Sequence, residues 1–307
     1  MPYARKQRDA LYERQKRFVH YTSAEAALSI IKSKRLWMRN TTCMSDYREV
    51  QHGFEILRKF FSDKSKKDSF VQALDAHVPG VAMEAINLFD QWWEDTRLNT
   101  YISSISEHND EEDSYGRLSM WRAFGGNTAR VAIVFRIPFY SGGADKLNIM
   151  FSPVAYLGED GVHAEIDSVI WNIRNNGDLI RSTERSRILS IVFNMLVAGV
   201  VCLKHKDFHE ECEWRVIYAP NRASSPLVES STEILGGIPQ IVHKLPLDMK
   251  VSDALGELDL SRIFDRLIIG PSSFPWAMYQ AFVDALEKCG VSEAHKLVFT
   301  SDIPIRS

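Results

Sequence analysis

The spacing of apolar residues changes rhythm several times along the chain, and each change marks an element. Residues 3–17 (YARKQRDALYERQKR) are charged on nearly every side, the pattern of an exposed N-terminal helix. Phe18-Val19-His20-Tyr21 then reads as a short strand. Thr22, with Glu25 three residues on, makes a capping box for a helix over residues 24–32. A second strand is predicted at Leu36-Trp37-Met38, after which Ser45 or Asp46 caps a helix through residue 61. Helical stretches at about 68–76 and 81–93 are separated by Pro79 and Gly80. They read as an inserted helical layer.

A strand at 101–106 precedes the acidic loop 107–113, a short helix around Met120-Trp121-Arg122 and a turn at Gly125-Gly126-Asn127. Residues 129–137 (ARVAIVFRI) are the clearest internal strand, dense in β-branched side chains. Another strand near 154–157 and helices at about 164–175 and 183–203 lead to a strand at 213–219. Pro, Ser and Gly make 220–239 read as a loop, and strands at 241–245, 266–269 and 296–300 follow, with a helix at 273–288. Strands and helices are interspersed without a regular βαβ rhythm. The expectation is therefore an α+β fold with a mixed, mostly antiparallel sheet core. It comprises a charged helix at 1–17 and one domain at 18–307 with a helical insertion at about 47–97.

Composition narrows the function classes. Lys and Arg number 37 against 40 Asp and Glu, so no overall basic field recruits nucleic acid or an anionic membrane. The most apolar run, 188–203, is shorter than the roughly 20 residues a bilayer requires and contains Asn194. Cys43, Cys202, Cys212 and Cys289 lie far apart or in a helix-and-strand context, and no apolar leader precedes the charged helix, which together point to reduced thiols in the cytoplasm. Cys202, His205, His209 and Cys212 invite a zinc reading, but four ligands within eleven residues lack the spacer that folds two pairs around one ion, so no metal site is assigned.

Chemistry concentrates in Glu211-Cys212-Glu213-Trp214-Arg215. On a strand, Glu211, Glu213 and Arg215 would share one face, with Cys212 and Trp214 on the other. Such a row is either a solvated charge ladder or two carboxylates beside a guanidinium, able to divide acid/base and charge-stabilising roles. His20, Tyr21 and Thr22 sit where a strand end meets a helix start, a common place for polar ligand contacts. Trp121 offers a stacking surface or a core filler. Ser104 and Ser106 could reach a ribose or phosphate, or satisfy nearby backbone.

Taken in order, His20-Tyr21-Thr22, Ser106-Glu107, Ser119-Met120-Trp121, residues 131–135, Glu211-x-Glu213-Trp214-Arg215 and Ile268-Ile269-Gly270-Pro271 resemble the prokaryotic domain of unknown function numbered 2971. The resemblance runs from about residue 18 to the C-terminus. That family is in turn similar to the ADP-ribosyltransferase fold, with a His or Arg on an early strand, a Ser or aromatic residue on a middle one and a Glu on a later one. The parallels are His20, then Ser104 or Ser106, then Glu213. The resemblance implies an NAD-consuming transferase or NAD glycohydrolase, of the kind found among toxins and phage-defence effectors. Glu213 would face the ribose, and Glu211 would orient or deprotonate the acceptor. His20, Tyr21, Thr22, Ser104, Ser106, Trp121 and Arg215 would bind NAD, with Tyr21 or Trp121 stacking the nicotinamide. Implied partners are NAD as substrate, a protein or nucleic-acid acceptor and an antitoxin or other defence-system component, with no membrane. A non-catalytic ligand-binding or interaction module is the competing expectation.

Overall fold

A computed structural model describes residues 1–14, 16–43, 47–123, 129–138 and 142–303. The chain begins with helix α1 (Pro2–Arg14), strand β1 (Arg17–Ser23), helix α2 (Ala24–Ser33) and strand β2 (Arg35–Asn40). Helices α3 (Tyr47–Ser62), α4 (Lys64–Asp75) and α5 (Val81–Leu98) precede β3 (Tyr101–His108), α6 (Leu118–Ala123), β4 (Arg130–Phe135) and α7 (Gly142–Leu147). Short strands β5 (Met150–Pro153) and β6 (Ala155–Tyr156) lead to helices α8 (Glu159–Asn175), α9 (Gly177–Ser182) and α10 (Arg185–Val201) and strand β7 (Leu203–Lys204). The remainder holds β8 (Glu213–Tyr218), β9 (Glu229–Leu235), β10 (Ile238–Pro246), α11 (Leu260–Ile263), β11 (Phe264–Ile269), α12 (Pro275–Lys288) and β12 (Val298–Thr300). The expected caps Ser45 and Asp46 and the Gly125-Gly126-Asn127 turn lie outside the described residues.

The chain divides into two compact units. One comprises Met1–Ala10, Asn40–Thr100 and Ser152–His209 and is mainly helical. Its apolar run folds as α10, which buries Ile188, Val192, Phe193, Leu196, Val197, Val200 and Val201. Among the described residues, no helix is long and apolar enough to cross a membrane. Phe54 of α3 stacks on Trp93 of α5 with ring centroids 3.7 Å apart. Where α3 meets α10, a Cβ on Gly53 would stand 2.7 Å from the Val200 carbonyl oxygen, closer than two helix backbones tolerate. Gly53→Ala is therefore expected to destabilise the protein by about 1–3 kcal/mol, measured as a lower denaturant midpoint at unchanged slope.

The other unit comprises Leu11–Arg39, Tyr101–Phe151 and Glu210–Ser307 and carries the sheet. Strand order is β12-β11-β4-β1-β3-β2-β10-β9, and β8 lies against both β3 and β5. The pairs β1–β3, β1–β4, β4–β11, β3–β8, β2–β10 and β9–β10 are antiparallel. β11 and β12 run parallel, joined by α12. The fold is thus mixed α/β with a mostly antiparallel sheet, as the interspersed pattern predicts. Strand alternation gives each sheet face its own core. Leu36, Met38, Ile133, Val216 and Leu267 pack against Ala27 and Ile30 of α2 and Phe282 and Leu286 of α12. Val19, Tyr21, Ala132, Val134 and Ile268 pack against Met120 and Trp121 of α6.

Two local readings need correction. The cap of α2 is Ser23, whose hydroxyl accepts from the Ala26 N–H, because pairing of β1 with β4 keeps the chain extended through Ser23. The Thr22 capping box is therefore one residue early. The expected loop at 220–239 contains β9, hairpinned onto β10 through Gly236 and Gly237 at φ 60° and 79°. Two consecutive residues in the left-handed region suit a tight hairpin turn, and glycine adopts it without strain.

Candidate functional site

Three neighbouring strands of the sheet unit bring the predicted residues together. Val19 of β1 pairs with Ser106 of β3, and Ser106 pairs with Glu213 of β8. Side-chain alternation puts Val19, Tyr21, Ser104, Ser106, Glu213 and Arg215 on one face, while Phe18, His20 and Thr22 start from the other. β1 pairs with β4 from Phe18 to Ser23 but with β3 only from Arg17 to Val19. Past that point the His20 ring supplies a contact to β3. Its Nδ1–H donates to the Ser104 carbonyl at 2.8 Å.

Ser104 is also bound from the other side. Its hydroxyl donates to Glu213 Oε1 at 2.5 Å, the same oxygen that takes Arg215 Nε at 2.8 Å, while Arg215 Nη2 reaches Oε2 at 3.1 Å. Glu213 and Arg215 are 5% and 2% exposed, so the pair works in a low-dielectric setting where a carboxylate persists only with such partners. His20 and Glu213 are thereby linked through one residue, by its carbonyl and its hydroxyl respectively. Ser106 is buried beside them, and Thr22 is half-buried toward the end of β1.

Glu211 does not join this row. It ends a 3₁₀ turn (Lys206–Glu211), and Cys212 at φ 45° breaks the alternation before β8 begins at Glu213. A left-handed non-glycine residue is strained, and here its carbonyl is held by the Glu107 N–H at 3.0 Å. The reading of 211–215 as one strand fails at that residue. Tyr21 and Trp121 pack edge to face at 4.9 Å, both buried. The Tyr21 hydroxyl accepts from the Arg117 N–H and Trp121 Nε1–H donates to the Tyr115 carbonyl. Burial pushes the Tyr21 phenol above its ordinary pKa. Both rings therefore build the floor of the sheet face and present no open surface for stacking.

Sequence reasoning missed Arg117. Its guanidinium donates to the Glu112 carboxylate and to the carbonyls of Glu107, Glu210 and Glu211, fixing the backbone that leads into β8. The acidic loop is tied down. Arg17 binds Asp110 and Asp113, and His108 Nε2–H donates to Asp113 at 2.8 Å. For zinc, no group of three or more His, Cys, Asp or Glu converges among the described residues.

Burial lowers the pKa of His20, against the raising effect of its bond to Ser104, and lowers His108 and His243 in the same direction. The unfolded chain therefore binds protons that the folded one refuses. The resulting stability is fully present above about pH 6.5 and is lost as pH falls through the lowered folded values. Urea denaturation should show a loss of more than about 1 kcal/mol between pH 7.5 and 5.5. A flat profile over that window would mean that these imidazoles are not held neutral.

Neither a search of curated proteins nor a search of solved structures yields a match to this chain. Residues 120–216, which hold Trp121, β4 and the Glu213-Trp214-Arg215 motif, match the model of the family described as Protein of unknown function (DUF2971), the family that the motif order resembles.

Proposed function

We propose that the protein consumes NAD at Glu213, as an ADP-ribosyltransferase or NAD glycohydrolase built on an ADP-ribosyltransferase-like arrangement of strands. The observation that carries this reading is Ser104, which joins His20 and Glu213 across three adjacent strands in the chain order His, Ser, Glu. Cleavage of the nicotinamide–ribose bond develops oxocarbenium character, and a carboxylate fixed beside the ribose stabilises charge that exists only in the transition state. Arg215 favours the ionised form of Glu213, and the Ser104 hydroxyl fixes one of its oxygens. His20, kept neutral by burial, offers Nε2 as an acceptor for a ribose hydroxyl while Nδ1–H is committed to Ser104. The ADP-ribose then passes to water or to a protein or nucleic-acid acceptor, consistent with a toxin or defence effector in the prokaryotic cytoplasm.

A second reading has its own support. Arg215 occupies both oxygens of Glu213 in a buried pair, as a purely structural ion pair would, and the protein is then a non-catalytic binding module. Incubation with NAD separates the two. Ser104→Ala leaves the ion pair intact but removes one of the donors to Oε1, and should lower nicotinamide release by about tenfold or more. Absence of release from the wild type in the presence of cell lysate would favour the binding module.

A further inference from the structure

The Ser106–Glu213 row continues along the same sheet face to Arg17 and His108, which pair with each other two residues, about 7 Å, further on. A cleft of about 790 Å³ opens there, and all ten residues lining it are polar or charged. Five are Lys or Arg and three are Asp or Glu. The carboxylates are largely spent. Asp110 and Asp113 bind Arg17, and Asp113 also binds Arg266 at 2.8 Å. Among the cations, Lys16, Arg17 and Arg266 are paired as well, and Arg14 and Arg136 remain. Among the described residues Arg136 gives only its Nε, to Asp265, and is 63% exposed, which leaves its terminal nitrogens available. Arg14, at the end of α1, is exposed and makes no ion pair among the described residues.

We propose that this cleft binds the diphosphate of a nucleotide, with Arg14 and Arg136 gripping phosphate oxygens. Planar guanidinium groups suit such oxygens because two N–H bonds can be made in parallel, and Arg17, locked by three carboxylates, forms an ordered wall behind them. The choice of a nucleotide over another polyanion rests on the NAD reading of Glu213, from which the cleft lies one short step along the sheet. The phosphate-bearing part of the substrate would occupy it while the glycosidic bond meets the carboxylate.

The test is calorimetric titration of the full chain with ADP, inorganic pyrophosphate and adenosine at low and moderate salt. ADP should bind, more weakly as salt rises, and adenosine should not. The double variant Arg14→Gln, Arg136→Gln changes two exposed side chains, leaves the fold intact by circular dichroism, and should weaken ADP at least tenfold. Three results overturn the proposal: no ADP binding to the wild type, unchanged affinity in the double variant, or equal affinity for pyrophosphate and ADP. NAD turnover is scored separately. A wild type that binds ADP through these arginines but releases no nicotinamide would refute the chemistry at Glu213 and leave the cleft standing.

Discussion

Glu213→Gln is expected to cut nicotinamide release from NAD by on the order of 10²–10³-fold or more, the scale seen when one preorganised electrostatic group is removed from a transition state. It should also cost about 3–5 kcal/mol of stability, because Gln removes the carboxylate charge that the buried Arg215 guanidinium binds. The two effects can be pulled apart. Adding Arg215→Met removes the other half of the pair, and stability should recover much of the loss while turnover stays low, since a buried ion pair replaced as a unit is often near neutral. Thermal melts and a nicotinamide assay on both variants read the two quantities. If turnover tracks stability through the series, Glu213 serves only the fold.

An expected effect on stability of the same size falls at Arg17. Its guanidinium is almost fully buried and reaches Asp110 at 2.5 Å, Asp113 at 2.7 Å and Asp265 at 2.6 Å. Arg17→Met leaves these carboxylates with fewer partners and should cost about 3–5 kcal/mol at pH 7, measured by urea unfolding. The pH dependence gives a second check. Burial alone would raise Asp265, but hydrogen bonds from Arg17 and Arg266 hold it below its ordinary value. Its contribution is present above about pH 3.9 and disappears as pH falls through the lowered value, so the gap between wild type and variant should narrow in that window.

These effects divide between what the sequence makes legible and what it does not. β1, β4, α10 and α12 announce themselves through local periodicity, and Glu213 is singled out by its place between Trp214 and a strand pairing with β3. The choice between Ser104 and Ser106 is not local. Register puts Ser106 directly opposite Glu213, yet the hydroxyl that bonds the carboxylate belongs to Ser104, on the diagonal. Cys212 reads as one more strand residue until its φ is known, and Glu211 falls out of the site for that reason alone. Arg17 and Arg117 were invisible because their partners are set by sheet topology. Arg17 meets Asp265 across 248 positions, and no window of sequence holds both.

That separation has a consequence for how the chain is made. β1 leaves the ribosome early, but its neighbours β3 and β4 follow only after residues 100 and 129, and the carboxylate that completes the Arg17 cluster arrives with β11. Contacts this distant carry a large loop-closure cost and slow folding, and unpaired strand edges meanwhile invite wrong partners. The helices at 47–98 pack chiefly against α8 and α10, which have emerged by residue 201, well ahead of β11. Nascent chains arrested before residue 264 should therefore carry protease-resistant helical segments while β1 is still cleavable, and become resistant there only once β11 has emerged.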